Sequence, residues 1–559
     1  MSGSKKIWFL MGIMLVVGLA LSTWLGVPAY RRFKETRAVE QATRFAQKGD
    51  NRSAMLSLRI ALALNSSNVV AARMMCDLAD QAQSPEALPW RRRVYELEPT
   101  LDNKIKFAAC ALRYEKPPFP IAAQALREIS RAGETNSLYH LVASDLFLKL
   151  NRLAEAEKHL NAAAVLEPTN LVYQLNRATI RLQSQDTNTA AVARRELAAL
   201  GADATVGAPA LRSLAADAVL RRQNDEAQSY ARQLLALPHP SFDDSVLNLT
   251  VLSEAKSGEL AATLARVQQS AASNTVTVAQ LISWMNTHGQ SKAALDWLRK
   301  LPAATQNTLP VPVMESDCYL TLRNWAGLEA RLSGQNWEDQ EFLRQALLAN
   351  ALRKQGRNQV ADVVWKQAVT AASARTEFIG VLFEVANSWG WQEETESLLW
   401  ALVKRAPRDN WPLQTLMQQY GSNGNTAGLL RVYETLLERN PKSMPAKNNV
   451  AVISLLLDRD LDRATMFAQE VYEADKTNAV FLSTYAFALH AKGKSTQALK
   501  LMETLPETDL RRPDVATYYA VLLSATGDRE KAQTYIATAE KAQMLPEERR
   551  LLEGARLKN

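Results

Sequence analysis

Toward the end of the chain, small apolar side chains recur at a fixed step within otherwise polar helical text. Ala464, Ala498 and Ala532 each lie 34 residues apart. The last two occupy matching frames, KGKSTQALKLM and TGDREKAQTYI, with Gly493 and Gly527 five residues before the alanine and Met502 and Ile536 four after it. Twelve positions upstream of each, a second small residue, Ala486 or Ala520, follows Tyr485 or Tyr519. A 34-residue period with two small positions predicts paired helices that cross closely and stack on the next pair.

Carried backwards, the second small position falls at Ala54, Leu88, Ala122, Ala156 and Ala190, slips by three to Ala227 and Ala261, and continues through Ala294, Leu328, Ala361, Thr395 and Leu429 to Ala464. From Ala54 to Ala532 is 478 residues, within two of fourteen 34-residue steps, which predicts fifteen units. The first small position falls at Ala42, Cys76, Cys110, Ser144, Ala178, Ala215, Ser316, Ala349, Ala486 and Ala520. Glycines 49, 289, 356, 424, 493 and 527 mark the turn between the helices, where a positive φ is useful. Pro168, Pro407 and Pro441 follow the second helix of their units. This frame resembles the tetratricopeptide repeat, with small residues at positions 8 and 20 and proline common at 32; residues 137–170 match it most fully, through Phe147, Ala156, Leu160, Ala163 and Pro168. The resemblance implies an all-α fold, a right-handed α-solenoid of about fifteen helix-turn-helix repeats, that binds proteins and carries no reaction of its own. Leu249, Ile282, Phe383 and Met417 place bulky groups at position 8, and turn-rich stretches at 201–210, 236–245 and 302–312 predict longer connections.

The beginning of the chain departs from this pattern. IWFLMGIMLVVGLALSTWLGVPA runs uncharged between Lys6 and Tyr30, with Trp8, Phe9, Trp24 and Tyr30 at its ends. About 20 apolar residues cross a bilayer core, so the stretch predicts a transmembrane helix over 7–29. A cleaved signal peptide fits less well, because its apolar region is usually only about 7–15 residues. Gly18, Ser22 and Gly26 share one face, a spacing that permits close helix packing and self-association in the membrane. The expected organisation is therefore an anchor over 1–34, a solenoid over 35–546 and a polar C-terminal cap over 547–559. The basic leader favours an exported, periplasmic body, although Arg31, Arg32, Lys34 and Arg37 oppose it from the other flank.

Charge changes the picture little once it is located. Of the net +8, residues 1–37 hold +5, so the remainder is nearly neutral and no nucleic-acid partner is expected. Three cysteines form no CxxC pair, and two of them, Cys76 and Cys110, fall at position 8, so they read as small hydrophobes. The five histidines show no ligand spacing, and neither a complete phosphate loop nor GxSxG is present, so no metal, cofactor or enzymatic activity is expected.

Binding is expected instead on the first-helix face. Asn350, Arg353, Trp411, Gln414, Gln418, Asn449, Phe487 and His490 project there, and amides with aromatics suit an extended peptide. Similar anchored repeat proteins suggest assembly of an envelope or polysaccharide-export complex. An alternative is glycan binding, with or without processing, by the tryptophan-rich region 284–411, although most of its tryptophans fall at packing positions of the frame.

Overall fold

The computed structural model describes residues 29–115, 117–407 and 409–557. The expected membrane helix, with Gly18, Ser22 and Gly26, lies outside these residues except for Ala29. Among the described residues there is no strand, and no helix is long and apolar enough to cross a membrane. A helix over residues 29–47 pairs with Asn51–Leu64, and the alternation continues to Pro513–Thr526 with Arg529–Ala539. Fifteen such pairs occupy the described residues, followed by a last helix, Pro546–Leu557. They form two compact units: one reaches Gln290 and includes Trp297–Val311, and the other is Ser291–Asp296 with the chain from Pro312 onward.

The helices form for local reasons that repeat. In Leu153–Leu166 the buried residues are Ala156, Leu160, Ala163 and Ala164, a single stripe at helical spacing. Asn68, Asn136, Asn170 and Asn478 stand just before first helices, and each side-chain oxygen accepts an amide N–H of the opening turn. Such a cap contributes about 1 kcal/mol. The small residues that set the frame are the contact points between helices. Every position-20 residue is buried except Leu88 and Ala261. At the first, the adjacent Ala87 is the buried residue. At the second, the helix starts at Leu260, so its apolar stripe runs through Thr263, Val267 and Ala271 and leaves Ala261 exposed.

In thirteen of the fifteen pairs the inter-helix turn is left-handed whether or not it holds glycine. Glycines 49, 289, 356, 424, 493 and 527 all have positive φ, and so does Gly390. Gln83, Asn151, Arg222, Lys256, Arg323 and Asp458 take the same conformation at the same place in their units, with φ between +50° and +58°. The repeat therefore imposes the turn, and the non-glycine residues carry its strain. The cysteines are buried, and burial raises the thiols of Cys76 and Cys318 to about 12 and that of Cys110 to about 11.

Candidate functional site

In the second unit, the turn Trp389-Gly390-Trp391 joins the helices Thr376–Ser388 and Gln392–Arg405, and two clefts open on either side of Trp391. Gly390 makes the turn possible with φ +73°. It leaves the two indoles tilted against each other at 4.9 Å, with Trp365 edge-on to Trp391 at 5.2 Å. The larger cleft, about 850 Å³, is charged: Arg353, Asp362, Lys366, Glu393 and Glu394 line it with Trp365 and Trp391. Arg353 is already committed there. Its guanidinium lies 3.8 Å from the centre of the Trp391 ring and pairs with Glu394 and Asp362, both at 2.6 Å. Burial works against its charge, but the two carboxylates outweigh burial and hold its pKa above the ordinary value.

The smaller cleft, about 370 Å³, carries no ionised group. Phe383 and Trp391 supply aromatic faces, and Asn387, Gln392, Gln418 and Gln419 supply amides, with hydroxyls from Thr395, Thr415 and Ser422. Gln418 is exposed, as is Gln414 one turn earlier on the helix Trp411–Asn423. Trp411 is half-buried, its ring 5.6 Å from Phe383, so it forms part of the wall behind the cleft. On the same helix Tyr420 is buried; its hydroxyl accepts from Trp400 Nε1 at 3.0 Å and donates to Glu396 at 2.6 Å. Burial first, and then Glu396, pushes this phenol up to about 12, so it remains a neutral donor. Its ring rests on Gly428, where a Cβ would come within 2.7 Å of ring carbons.

The other groove candidates are placed differently. Asn350 is buried, with no partner for its Oδ1. Asn449 is half-buried, and His490 is half-buried with its Nδ1 2.9 Å from Ser495 Oγ. Phe487 is buried, packed on Tyr518 at 4.9 Å between ring centres. The last helix lies over part of this stretch, at Phe487 and Tyr518. Besides Leu552, which packs near Tyr519, the segment returns to residues more than a hundred positions earlier: Gln543 donates to the carbonyl of Gly421, and Thr426 donates to Glu547. Tyr518 donates to Glu548 at 2.8 Å, Ser524 donates to the carbonyl of Ala555 at 2.7 Å, and Leu551 packs against the apolar cluster that contains Leu455, Phe487 and Tyr518. Gly421, Leu455 and Ser524 occupy the same first-helix row in their units, so the helix crosses the groove as well as closing the end of the stack.

None of the nine tryptophans between 284 and 411 is fully exposed. Trp284 stacks on His288 at 4.3 Å and donates to Thr250, Trp337 is buried, and Trp400 lies under Arg431. Of the residues named by projection onto first-helix positions, Gln418 lines the smaller cleft; Trp391, which lies in a turn, is not among them. The available signal is the glycine set between two tryptophans.

No family model matches the chain, and no curated protein matches it in sequence. Among solved structures it is similar to the APC/C hetero-tetramer Cut9–Hcn1, at 12% identity over 96% of this chain and 99% of that one, with a TM-score of 0.24. It is also similar to a tetratricopeptide repeat protein from Parabacteroides merdae, at 15% identity over 49% and 98%, TM-score 0.24. A third is Naa15/Naa10 bound to HypK, at 14% identity over 90% and 68%, TM-score 0.22. With scores of this size, the helix-pair architecture rests on the chain's own helices.

Proposed function

We propose that the chain is a membrane-anchored, tetratricopeptide-like scaffold that gathers protein partners and catalyses no reaction. The observation that carries this reading is the uncharged cleft between Phe383 and Gln418, set in consecutive helix pairs. Amides and hydroxyls beside aromatic faces can pair with a peptide backbone and receive its side chains without the cost of desolvating a charge. Proximity labelling from membranes tests it. A set of proteins labelled by the unmodified chain should be lost with Gln414→Ala and Gln418→Ala together, and an unchanged set would overturn this role for the cleft.

Anchoring is the second part of the proposal and is supported by the uncharged stretch before Tyr30. The chain should stay with membranes through alkaline extraction, and a reporter fused after residue 559 should be active only outside the cytoplasm. Release by alkali would remove the anchor, and cytoplasmic reporter activity would reverse the topology. Envelope assembly or polysaccharide export is the setting we infer for the complex, by likeness to other anchored repeat proteins. The same cleft favours one other reading, because aromatic faces with neutral amides also suit a sugar ring. Calorimetric titration separates the two: saturable polysaccharide binding lost in Trp411→Ala would favour a glycan ligand.

A further inference from the structure

Of the described side chains on the helix Pro546–Leu557, only Leu552 is fully buried, whereas the helix beneath it, Pro513–Thr526, buries ten. Gly554 lies in its interior, at a cost of about 1 kcal/mol relative to alanine, and so short a helix is marginal in isolation. A cavity of about 460 Å³ remains beside it, between Leu456, Leu457, Arg550 and Leu551. The helix is thus held by its seat and not by its own propensity.

The seat nevertheless recognises it at both ends. The hydroxyls of Thr426 and Tyr518 meet the two carboxylates of its first turn, Glu547 and Glu548, and Pro546 rests against Gly424. Leu551 enters the apolar row of Leu455 and Phe487. Ser524 takes the carbonyl of Ala555, one of the last four in the helix and so without an intrahelical donor. We infer that the first-helix face from Gly421 to Ser524 is a receptor for one amphipathic helix of a protein partner, carrying two carboxylates in its first turn and adjacent leucines one turn later. The chain's own last helix occupies the receptor until such a helix displaces it. This rests on the scaffold reading, names the chemistry of a partner and adds a control. A tethered helix acts at an effective concentration on the order of millimolar, so an outside helix has to out-compete that occupancy.

The test uses the full-length chain in detergent and a fluorescent peptide of residues 543–559, followed by anisotropy. The unmodified chain should bind the peptide weakly. Leu551→Asp with Leu552→Asp unseats the internal helix and should tighten peptide binding at least ten-fold, and adding Tyr518→Phe and Ser524→Ala in the groove should reverse the gain. Because Leu552 packs into the core, Glu547→Gln with Glu548→Gln provides a milder variant that loosens only polar contacts and should shift binding in the same direction. Equal peptide affinity for the unmodified chain and both tail variants, with helicity unchanged by circular dichroism, would overturn the inference. So would light scattering that shows dimers formed by exchanged tails, since the receptor would then belong to a second copy. Loss of the cis–trans competition leaves the labelling set that depends on Gln414 and Gln418 intact, and loss of that set leaves peptide binding intact, so the two failures are distinguishable.

Discussion

Between Phe383 and Ser422 the first-helix face of the second unit is open and lined by amides, whereas from Gly421 to Ser524 the corresponding face lies under the last helix. Both stretches are built from the same helix pairs, and the difference lies in the side chains they present. Gln414 and Gln418 are exposed, and covering them with an apolar helix would cost about 1–3 kcal/mol for each polar group left unpaired. Leu455, Phe487 and Tyr518 have the opposite preference: left open they would form an exposed apolar patch, and a helix that brings leucines and a few matched polar groups covers them. One scaffold thus provides a wet face and a dry one, and the dry face carries its own cover.

The largest effect should come from the dry face. Leu552 is 3% exposed, and Leu552→Ala should destabilise the C-terminal repeats by about 2–4 kcal/mol. Hydrogen exchange of residues 513–526 reads this directly. Unchanged protection there would mean that the last helix does not bear on the stack. Next comes Tyr420, buried on the helix that carries Gln418. Tyr420→Phe leaves the indole N–H of Trp400 and the carboxylate of Glu396 without their shared partner, at an expected cost of about 1–2 kcal/mol in unfolding free energy, read from denaturant titration.

Two glycines with the same backbone geometry sharpen the contrast. Gly356 has φ +80° with open space around it, while a Cβ on Gly424, φ +69°, would come within 2.9 Å of Pro546. Alanine at either should cost about 1 kcal/mol from the turn alone. Only Gly424→Ala should also speed amide exchange in 546–557. Equal exchange in the two variants would remove Gly424 from the seat of the last helix.

These turns also mark how far the sequence could be read. The register was legible because close helix crossing requires small residues, and Ala361, Ala464 and Ala532 are all buried where the period puts them. It drifted at Ala261, where the connection, and not the period, sets the helix start. Six turn glycines were legible, but Arg222, Lys256 and Arg323 adopt the same positive φ with nothing in their chemistry to announce it. At the candidate site, projection along first helices names Gln418, which lines the smaller cleft, and Gln414, exposed one turn away from it. It also assigned Phe487 to an open groove, because no local pattern in LPEERRLLEGARLKN says that Glu547 will meet a threonine 121 residues earlier. Asn350 failed for a related reason: Phe342, Ala346, Leu347 and Ala351 bury its helix on several sides, and single-face projection assumes one.

The smallest stability effect is the one on which the comparison turns. Gln418 is exposed and no hydrogen bond among the described residues fixes its amide to the fold, so Gln418→Ala should change the unfolding free energy by less than about 0.5 kcal/mol. If the wet face is a binding surface, that near-silent change should still weaken capture of its partner by roughly ten-fold, the equivalent of about 1.4 kcal/mol. A stability loss above about 1 kcal/mol would instead make the amide a structural element, as Tyr420 is, and the cleft between Phe383 and Gln418 would become a feature of packing. Measuring the two quantities on the same variant separates the cases, because a residue that holds the fold moves both and a residue that meets a partner moves only one.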